Sequence, residues 1–583
     1  MTNFQPKTQD LIDYVSTKHK NSWLLLLWLI IGLALRLGNL TAKPPWTDEF
    51  STLVFSLGNS FLTVPLNQVI SLDVLLQPLQ PNPASGVGDV VANLLTQSNH
   101  PPLYFVLTHW WLRLFPTDGG LVSLWGARSL AALFGTAAIG AIYGLSWLAF
   151  RSPLVSHLSA AIIAVSPYGI FLAQEARHYT LPILWVIASL SCLVIAIRSL
   201  DNRTPLPLGI AIIWVIINAL GIATHYFFAL TLCAEGIVVL ALWWRLSPSS
   251  FPPSWWRLLA VALGSLMSGL VWLPVFLQNS YGEKLIDWID TGDGGFLSWI
   301  GPIFQAIAAW ITMICLLPVE SAQLPVIIAS GAVMLIFFIW VIPILTRGVK
   351  FQLKQPETQL MTQMFIAVVM AAIALFFVFT YFFGIDLTRG ARYNFVYFPA
   401  VIILVGASLA VCWDNRWVTT PPTRDERTPR VRLDGKKAVA IIWLMGFVSA
   451  VTVICNLGYQ KYYRPDLFVQ VIQQKSPVPV LIATTQKTHV QIGEMMGVGR
   501  EFKLASPLSS PNPKPQFLLA HQDKDPKTST AIVQQTLNTL PRPFDLWLVN
   551  FYAPVEVNNC VADSQSLPDV DGYGYKIYHC EQN

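Results

Sequence analysis

Two adjacent carboxylates, Asp48 and Glu49, follow the first apolar stretch of the chain, residues 23–40. That stretch is long enough to cross a hydrocarbon core of roughly 30 Å. The positive-inside rule keeps in the cytoplasm the lysines that precede it, Lys7, Lys18 and Lys20. Asp48 and Glu49 therefore emerge on the opposite side, where no nucleotide-activated donor is expected. A carboxylate placed there can act as a general base on a hydroxyl whose reaction partner is carried by a lipid.

Arginine-containing motifs beside later apolar stretches supply the complementary charge. Guanidinium groups bind phosphate oxygens in a bidentate manner and stabilise charge on a departing phosphate. A single arginine could equally extend to the interface or pair with a neighbouring acid. Three of them at one membrane face favour a shared polar site. The motif at 174–179 contains Glu175, Arg177, His178 and Tyr179, and that at 389–393 contains Arg389, Arg392 and Tyr393.

Three histidines add candidate substrate or metal ligands. His100 precedes an apolar segment, His178 belongs to the 174–179 motif, and His225 ends another apolar stretch. Imidazole and carboxylate together suit Mn²⁺ or Zn²⁺, so Asp48, Glu175 and His178 are the metal candidates. Each histidine could instead be an ordinary hydrogen-bonded residue at a helix end. The sequence leaves a divalent cation open and contains no Cys/His spacing typical of zinc sites.

The elements that must position these residues are membrane helices. Of 583 residues, 54% are hydrophobic and 12% are charged, whereas soluble proteins have about 25% charged residues. This composition excludes a nucleic-acid-binding protein, although the net charge is +5. Two apolar stretches, 101–115 and 303–317, are about 15 residues long, a length that suits interfacial or re-entrant helices. Eleven runs predict transmembrane helices, or thirteen if both short stretches cross: 23–40, 127–150, 154–173, 180–197, 208–224, 227–244, 258–277, 326–345, 363–383, 395–412 and 438–457.

Alternating the eleven spans places the basic connectors on one side. The strongly positive connectors, including residues 416–437, fall inside, as the positive-inside rule requires. The opposite face receives the long first loop, 41–126, and every candidate residue named above. We therefore predict that the chemistry takes place at the extracytoplasmic face of the plasma membrane. Glu235 lies within an apolar run, and we interpret it as half of a buried structural pair in the helix bundle.

The tail, residues 458–583, is polar and alternates between strand and helix patterns. It follows a cytoplasmic N-terminal segment, 1–22, and a transmembrane domain, 23–457, and the odd number of spans places it outside the cytoplasm. Its two cysteines, Cys560 and Cys580, are expected to form a disulfide there. The pattern predicts a small α/β domain with strands at 478–484, 516–521, 544–551 and 575–580 and helices at 489–502 and 528–540.

Several of these motifs resemble those of the GT-C membrane glycosyltransferases, in particular the family of protein O-mannosyltransferases and lipid A aminoarabinose transferases. The resemblance covers about residues 23–413. It implies an inverting transferase that uses a polyprenyl-phosphate-linked monosaccharide, with Asp48 as the base and Glu175 near the second acidic position of the family. Members of the family differ in whether they need a divalent cation. The matching segments are Trp46-Thr47-Asp48-Glu49, His100-Pro101-Pro102-Leu103-Tyr104, the 174–179 motif and Arg392-Tyr393.

Glycosyl transfer from such a donor requires a base for the acceptor hydroxyl, cations for the departing phosphate and a groove for the lipid. Asp48 or Glu49 meets the first requirement, and the arginines meet the second. The alternative is a polytopic lipid or sugar transporter such as a flippase. Transporters place substrate contacts near the bilayer midplane, often with internal repeats, whereas the polar residues here gather at one face. The sequence leaves open the sugar and whether the acceptor is a protein, a glycan or a lipid.

Overall fold

The computed structural model describes residues 8–246, 255–278, 289, 295–415, 434–505, 515–523, 525, 527–555, 557 and 560–581. Most of these residues are helical. The helices are α1 (Thr8–Leu37), α2 (Thr47–Ser56), α3 (Leu72–Leu75), α4 (Val87–Gln97), α5 (Leu103–Leu112), α6 (Leu124–Phe150), α7 (Pro153–Val165), α8 (Pro167–Ala173), α9 (Thr180–Asp201), α10 (Leu208–Thr224), α11 (Phe228–Leu246), α12 (Trp256–Leu270), α13 (Leu273–Gln278), α14 (Phe296–Thr312), α15 (Leu324–Gln352), α16 (Pro356–Phe382), α17 (Phe398–Trp413), α18 (Gly435–Ile454), α19 (Pro465–Lys475), α20 (His489–Ala505) and α21 (Lys527–Leu537). The strands are β1 (Val69–Ser71), β2 (Val480–Gln486), β3 (Gln516–His521), β4 (Phe544–Val549), β5 (Val561–Ala562) and β6 (Tyr575–Cys580).

Eight of the described helices are long and apolar enough to cross a membrane. The pair α7 and α8, bent by 57°, is a ninth candidate, and α10 and α17 are shorter apolar helices. Each of the eleven predicted spans coincides with one of these helices or with the bent pair. The chain is therefore a polytopic α-helical membrane protein.

The bend between α7 and α8 positions the 174–179 motif. Proline disfavours helical backbone in the residue before it, so α7 ends ahead of Ser166-Pro167. The Ser166 hydroxyl accepts a hydrogen bond from the Gly169 amide (3.3 Å), which caps α8. α8 is only 7 residues long, and the motif follows it directly. Its turn lies against α2, since the Ala176 amide donates to the Glu49 carboxylate.

Glu235 is buried in the helix bundle as expected, but its partner is the hydroxyl group of Ser189 and not a charged side chain. The Ser189 hydroxyl donates to the Glu235 carboxylate (2.7 Å), and the Trp214 indole donates to the same Ser189 oxygen (2.8 Å). Glu235 was predicted to pair with another charged residue. Among the described residues, it is instead bound by a network of hydrogen bonds. The Ser189 bond gives one carboxyl oxygen of Glu235 the partner that a polar side chain within the membrane needs, while the other oxygen is buried without a hydrogen bond among the described residues.

The face of the membrane domain where α2 begins is called the site face below, and two apolar helices lie along it. α5 has 10 residues and is about 15 Å long, too short to cross the bilayer. Because α14 has partners at this face near both of its ends, it does not cross either, and its contacts support eleven spans over thirteen. The hydrogen bonds of α14 join Trp299 to Tyr381, Gln305 to Thr388 and Thr312 to Tyr459.

A six-stranded sheet in the order β1-β3-β2-β4-β6-β5 forms the centre of the tail. β2 is parallel to both β3 and β4, and β6 is antiparallel to β4. β1 belongs to the first loop and pairs antiparallel with β3, so the first loop completes the sheet of the tail. The predicted strands and helices of the tail coincide with β2, β3, β4, β6, α20 and α21. α19 and the short strands β1 and β5 were not predicted.

The structure joins Cys560 and Cys580 in a disulfide, with Cα atoms 4.3 Å apart and a sequence separation of 20. A cross-link that closes such a loop restricts the unfolded chain and stabilises the fold by roughly 3 kcal/mol in the chain-entropy model. We expect the double variant Cys560→Ser/Cys580→Ser to lose about that much unfolding free energy, measured as a lower melting temperature in detergent. Cys233→Ser, at an exposed free cysteine, is the control. Equal melting temperatures for the double variant and the wild type would contradict this prediction.

Burial raises the pKa of Glu494 in α20 to about 7. The folded chain therefore holds this proton more tightly than the unfolded chain, whose glutamates titrate near 4.5. The stability that the proton provides is fully present below pH 4.5 and is lost as the pH rises to about 7. We expect Glu494→Gln to raise the melting temperature at pH 8, by the equivalent of about 3 kcal/mol, and to have little effect at pH 4.5. Glu581→Gln, at an exposed position of the tail, should change neither value.

Candidate active site

Asp48 lies in the first turn of α2, where the positive end of the helix dipole favours an acidic residue. Its side chain is 28% exposed, and its Oδ2 atom is 3.4 Å from Arg177 Nη2. The same Oδ2 atom is 3.6 Å from Arg392 Nη2. The structure thus brings one predicted residue from each of three distant segments to one point on the site face.

Arg177 is a buried anchor of α2. Its Nη1 atom donates to the Asp48 carbonyl oxygen (3.0 Å) and to the Thr52 hydroxyl (3.2 Å), while Nη2 lies 3.0 Å from His100 Nε2. Only 1% of its side chain is exposed. These contacts fix the orientation of Asp48. The predicted phosphate-binding role of Arg177 does not fit this geometry, because its guanidinium is enclosed by protein groups.

Arg392 is the more accessible of the two arginines at Asp48, with 17% of its side chain exposed. Its guanidinium carbon lies 4.8 Å from the centre of the Trp46 ring and 5.5 Å from that of Tyr393. The Tyr179 ring is 6.0 Å away. These aromatic faces hold the cation in place by cation–π attraction and leave part of it open. Tyr179 and Tyr393, both predicted substrate-binding residues, thus flank Arg392.

Arg389 forms an ion pair with Asp386, whose Oδ2 atom lies 3.4 Å from Arg389 Nε. Its side chain is 35% exposed. Of the two arginines in the 389–393 motif, Arg392 is therefore the one that the structure places against Asp48. Between them, Gly390 is required by close packing, because an added Cβ atom would lie 2.6 Å from the Tyr393 ring.

Glu49 was predicted as a second catalytic carboxylate, and the structure corrects this. Its two oxygens each accept a hydrogen bond of 2.8 Å from the Arg128 guanidinium, and neither side chain is exposed. The Ala176 amide donates a third bond at 2.8 Å. Burial opposes ionisation, but Arg128 lowers the pKa of Glu49 below its usual 4.5. A fully buried and fully paired carboxylate cannot receive a proton from a substrate.

Glu175 was the other predicted catalytic acid, and it too is committed to a partner. Its carboxylate, which is 3% exposed, pairs with the ammonium of Lys461. Lys461 also lies 5.1 Å from the centre of the Trp46 ring. Since Lys461 lies near the start of the tail, this ion pair connects the tail to the 174–179 motif. Asp48 is consequently the one predicted catalytic carboxylate that the structure leaves partly open.

The three predicted histidines cluster beside Arg177, with their rings tilted or edge-on to one another. His178 lies between His100 and His225, with ring centroids 5.2 Å and 4.6 Å away. Burial, and then nearby positive groups, lowers the pKa of His100 and His178 well below 6.5, so both rings are neutral at neutral pH. Neutral rings can pack together without mutual repulsion and can still exchange hydrogen bonds with polar groups.

The described residues contain no group of three or more His, Cys, Asp or Glu side chains arranged to hold a metal ion. The metal candidates Asp48, Glu175 and His178 have other surroundings instead. Asp48 faces two arginines, Glu175 faces Lys461, and His178 packs between two histidine rings. The geometry therefore does not support a metal centre built from this set.

Sequence reasoning missed Arg128 and Lys461. Arg128 lies within the predicted span 127–150, where a charged side chain needs a buried partner. That requirement could have suggested an acid such as Glu49 as its partner. Lys461 gave no comparable signal, because it lies in a polar segment after the last span. Its partner, Glu175, is 286 residues away in the sequence. Only the folded chain reveals that contact.

No protein-family model and no curated protein sequence matches the chain. Two solved membrane enzymes are similar to it in structure. ArnT from Cupriavidus metallidurans bound to undecaprenyl phosphate shares 12% identity at a TM-score of 0.48, with 96% of this chain and 98% of that chain covered. The archaeal oligosaccharyltransferase AglB from Archaeoglobus fulgidus, in complex with an inhibitory peptide and a dolichol-phosphate, shares 10% identity at a TM-score of 0.44, with 83% and 64% covered.

ArnT and AglB are both GT-C glycosyltransferases. Identities of 10–12% and TM-scores below 0.5 say nothing about the substrate or the mechanism of this chain. Those depend on the residues around Asp48.

Proposed function

We propose that the chain is an inverting glycosyltransferase that moves a monosaccharide from a polyprenyl-phosphate donor to an acceptor hydroxyl at the extracytoplasmic face of the membrane. The observation that carries this proposal is the partly exposed Asp48 carboxylate beside the partly exposed Arg392 guanidinium, 3.6 Å apart. A general base and a phosphate-binding cation are the two groups that such a transfer requires.

The charge balance of the site also suits a phosphate donor. The buried pair of Glu49 and Arg128 is neutral overall. The ion pairs of Asp48 and of Glu175 together contain two carboxylates and three cations, an excess of one positive charge among these five groups. This excess can compensate a lipid-linked phosphate. The groups are Asp48, Glu175, Arg177, Arg392 and Lys461.

The reaction that fits this arrangement is a single displacement. The acceptor oxygen bonds to the anomeric carbon as its proton passes to the Asp48 carboxylate. The bond from the anomeric carbon to the phosphate oxygen breaks, and the polyprenyl phosphate leaves with the bonding electrons. Arg392 stabilises the charge that develops on the phosphate. One displacement inverts the configuration at the anomeric carbon.

The proposal includes the extracytoplasmic placement of the site and the tail. It also includes the division of the chain into an N-terminal segment (1–22), a transmembrane domain (23–457) and the tail (458–583). Eleven spans and a cytoplasmic N-terminus support it, because an odd number of crossings leaves the tail outside. A cysteine introduced in place of Gln474, an exposed residue of the tail, would test it by labelling with a membrane-impermeant maleimide in intact cells. Labelling only after the cells are opened would contradict this topology.

The activity itself is testable with purified protein in nanodiscs. Radiolabelled polyprenyl-phosphate monosaccharides should bind, and label should pass to hydroxyl-bearing probes of protein, glycan and lipid type. The same protein in sealed liposomes would move labelled donor between leaflets if it were a flippase. Leaflet exchange without glycosyl transfer would overturn the transferase proposal in favour of a transporter.

We expect Arg392→Lys to weaken donor binding far more than Arg389→Lys. Lysine keeps the charge but loses the planar two-pronged donor that matches phosphate oxygens. A roughly tenfold or greater rise in the donor Kd corresponds to the loss of one charge-assisted hydrogen bond of about 1.5–3 kcal/mol. Equilibrium binding of the labelled donor measures it. Arg389→Lys is the matched control, and equal donor affinities in the two variants would exclude Arg392 as the phosphate ligand.

A further inference from the structure

The Trp46 ring, directly before α2, contacts two cations that come from different parts of the molecule. The Arg392 guanidinium carbon lies 4.8 Å from the centre of the ring, and the Lys461 ammonium lies 5.1 Å from it. Arg392 belongs to the membrane domain, whereas Lys461 belongs to the tail. A group that binds Lys461 is therefore a neighbour of the cation that we assign to the donor phosphate.

Lys461 is enclosed by groups of the membrane domain. Its side chain is 6% exposed, and its ammonium pairs with the Glu175 carboxylate. The ammonium also lies 5.7 Å from the centre of the Phe171 ring, on which the Tyr459 ring stacks at 4.0 Å. A buried and paired ammonium is poorly placed to bind a ligand itself. The effect of Lys461 on the site therefore passes through its partner, Glu175.

Glu175 has binding capacity that Lys461 does not use. Its Oε1 atom accepts from Lys461, while its Oε2 atom is buried without a hydrogen bond among the described residues. A buried carboxylate depends on the cations around it, because it has lost its contact with water. Lys43 is one of these cations. Its ammonium, however, is already bound to the carbonyl oxygens of Gly458 and Tyr459, at 3.2 Å each.

Arg392 is another cation on which the charge of Glu175 acts. Burial lowers the pKa of Arg392, but four neighbouring groups together raise it above its ordinary value: Tyr179, Asp48, Tyr393 and Glu175. Because the Arg392 side chain is partly exposed, its guanidinium has room to turn toward a second carboxylate. A carboxylate and a phosphate compete for the same planar pair of N–H donors. An unpaired Glu175 would therefore compete with the donor phosphate for Arg392.

We propose that Lys461 is a positioning residue for donor binding: by pairing with Glu175 beside the Trp46 ring, it prevents Glu175 from drawing the Arg392 guanidinium away from the donor phosphate. This inference rests on the proposed function. The tail thereby supplies the charge that keeps the phosphate-binding arginine available, although it does not touch the donor.

The test measures the binding of radiolabelled polyprenyl phosphate to the purified full-length protein in nanodiscs. We expect Lys461→Gln to raise the Kd roughly tenfold or more, as the loss of a charge-assisted hydrogen bond from Arg392 would. Adding Glu175→Gln to that variant should return the Kd to the wild-type value, because the competing carboxylate is gone. Glu175→Gln alone should leave the Kd unchanged, since Lys461 already occupies this carboxylate in the wild type.

Lys503→Gln is the matched control, since it removes one positive charge from the tail at a residue that lies 3.7 Å from Asp73. It should leave the Kd unchanged. If Lys461→Gln cannot be purified, the double variant decides alone, because it buries no unpaired charge at this pair. A wild-type Kd in the double variant supports the inference, and a weakened one overturns it.

Three further results would overturn this inference alone. The first is an unchanged Kd in Lys461→Gln, and the second is an equal rise in Lys503→Gln. The third is a Kd that falls in Glu175→Gln by the factor by which it rises in Lys461→Gln, which would indicate a general effect of charge. A wild-type protein that binds no polyprenyl phosphate would overturn both the inference and the proposed function.

Discussion

Replacing Asp48 by asparagine should lower the transfer rate by ~10²–10⁴, the usual cost of losing a positioned general base. Asparagine has the same shape but cannot accept the acceptor proton. The fold should survive, because Arg177 binds the backbone carbonyl of residue 48 and the Thr52 hydroxyl, which the substitution leaves intact. The measurement is initial transfer rate at saturating donor, together with melting temperature and yield.

The control for this variant is Asp73→Asn, which makes the same chemical change in the same loop. The Asp73 carboxylate is 59% exposed and lies 3.7 Å from the Lys503 ammonium, away from the arginines at Asp48. It should retain the wild-type rate. If Asp48→Asn kept more than a tenth of the wild-type rate, another group would be the base. A comparable loss in Asp73→Asn would point to a general effect of charge in the first loop.

The membrane helices could be predicted from sequence because the signal is local. A run of apolar residues of sufficient length must be a helix in a bilayer, where every backbone polar group needs a partner within its own segment. The tail strands and helices were predictable for a similar reason, since periods of two and 3.6 residues mark them directly. β1 was not predictable, because three residues carry no period and their partner, β3, lies more than 440 residues later.

Which of two neighbouring acids faces the substrate could not be predicted. Consecutive residues on a helix point about 100° apart, so Asp48 and Glu49 must have different surroundings. The sequence gives no means of deciding which of them turns toward α6 and meets Arg128. Both were therefore predicted as catalytic. The same limit applies to Arg177 and Arg392, where only the folded structure distinguishes a buried anchor from an accessible cation.

The short helix α2 connects the parts of the molecule that the sequence presents as separate. Arg128 from α6 and the 174–179 turn bind it from the membrane domain, and α20 packs on it from the tail. Asp48 is held by all of these contacts without being covered by them. A base on such a helix keeps its position because several independent elements determine it. The cost is that any break in these contacts disturbs both the fold and the site.

Breaking the ion pair of Glu49 and Arg128 should have the largest effect on the stability of the fold. Glu49→Gln leaves the Arg128 guanidinium buried with no counter-charge, and breaking one partner of a buried ion pair typically costs ~3–5 kcal/mol. Arg128 also donates to the carbonyl oxygens of Leu40 and Lys43, so the connection between α1 and α2 would loosen as well. We expect a lower yield and a melting temperature several degrees below that of the wild type, measured in detergent at pH 7.

Asp48→Asn provides the contrast, since it changes the adjacent residue in the same way. The two variants should fail differently: Asp48→Asn is stable and inactive, whereas Glu49→Gln is unstable and loses activity as it unfolds. Below the melting temperature, the folded fraction of Glu49→Gln should keep a specific activity well above that of Asp48→Asn, because its base is intact. A stable, fully folded Glu49→Gln protein with no activity would reverse the assignment and make Glu49, despite its burial, a participant in the reaction.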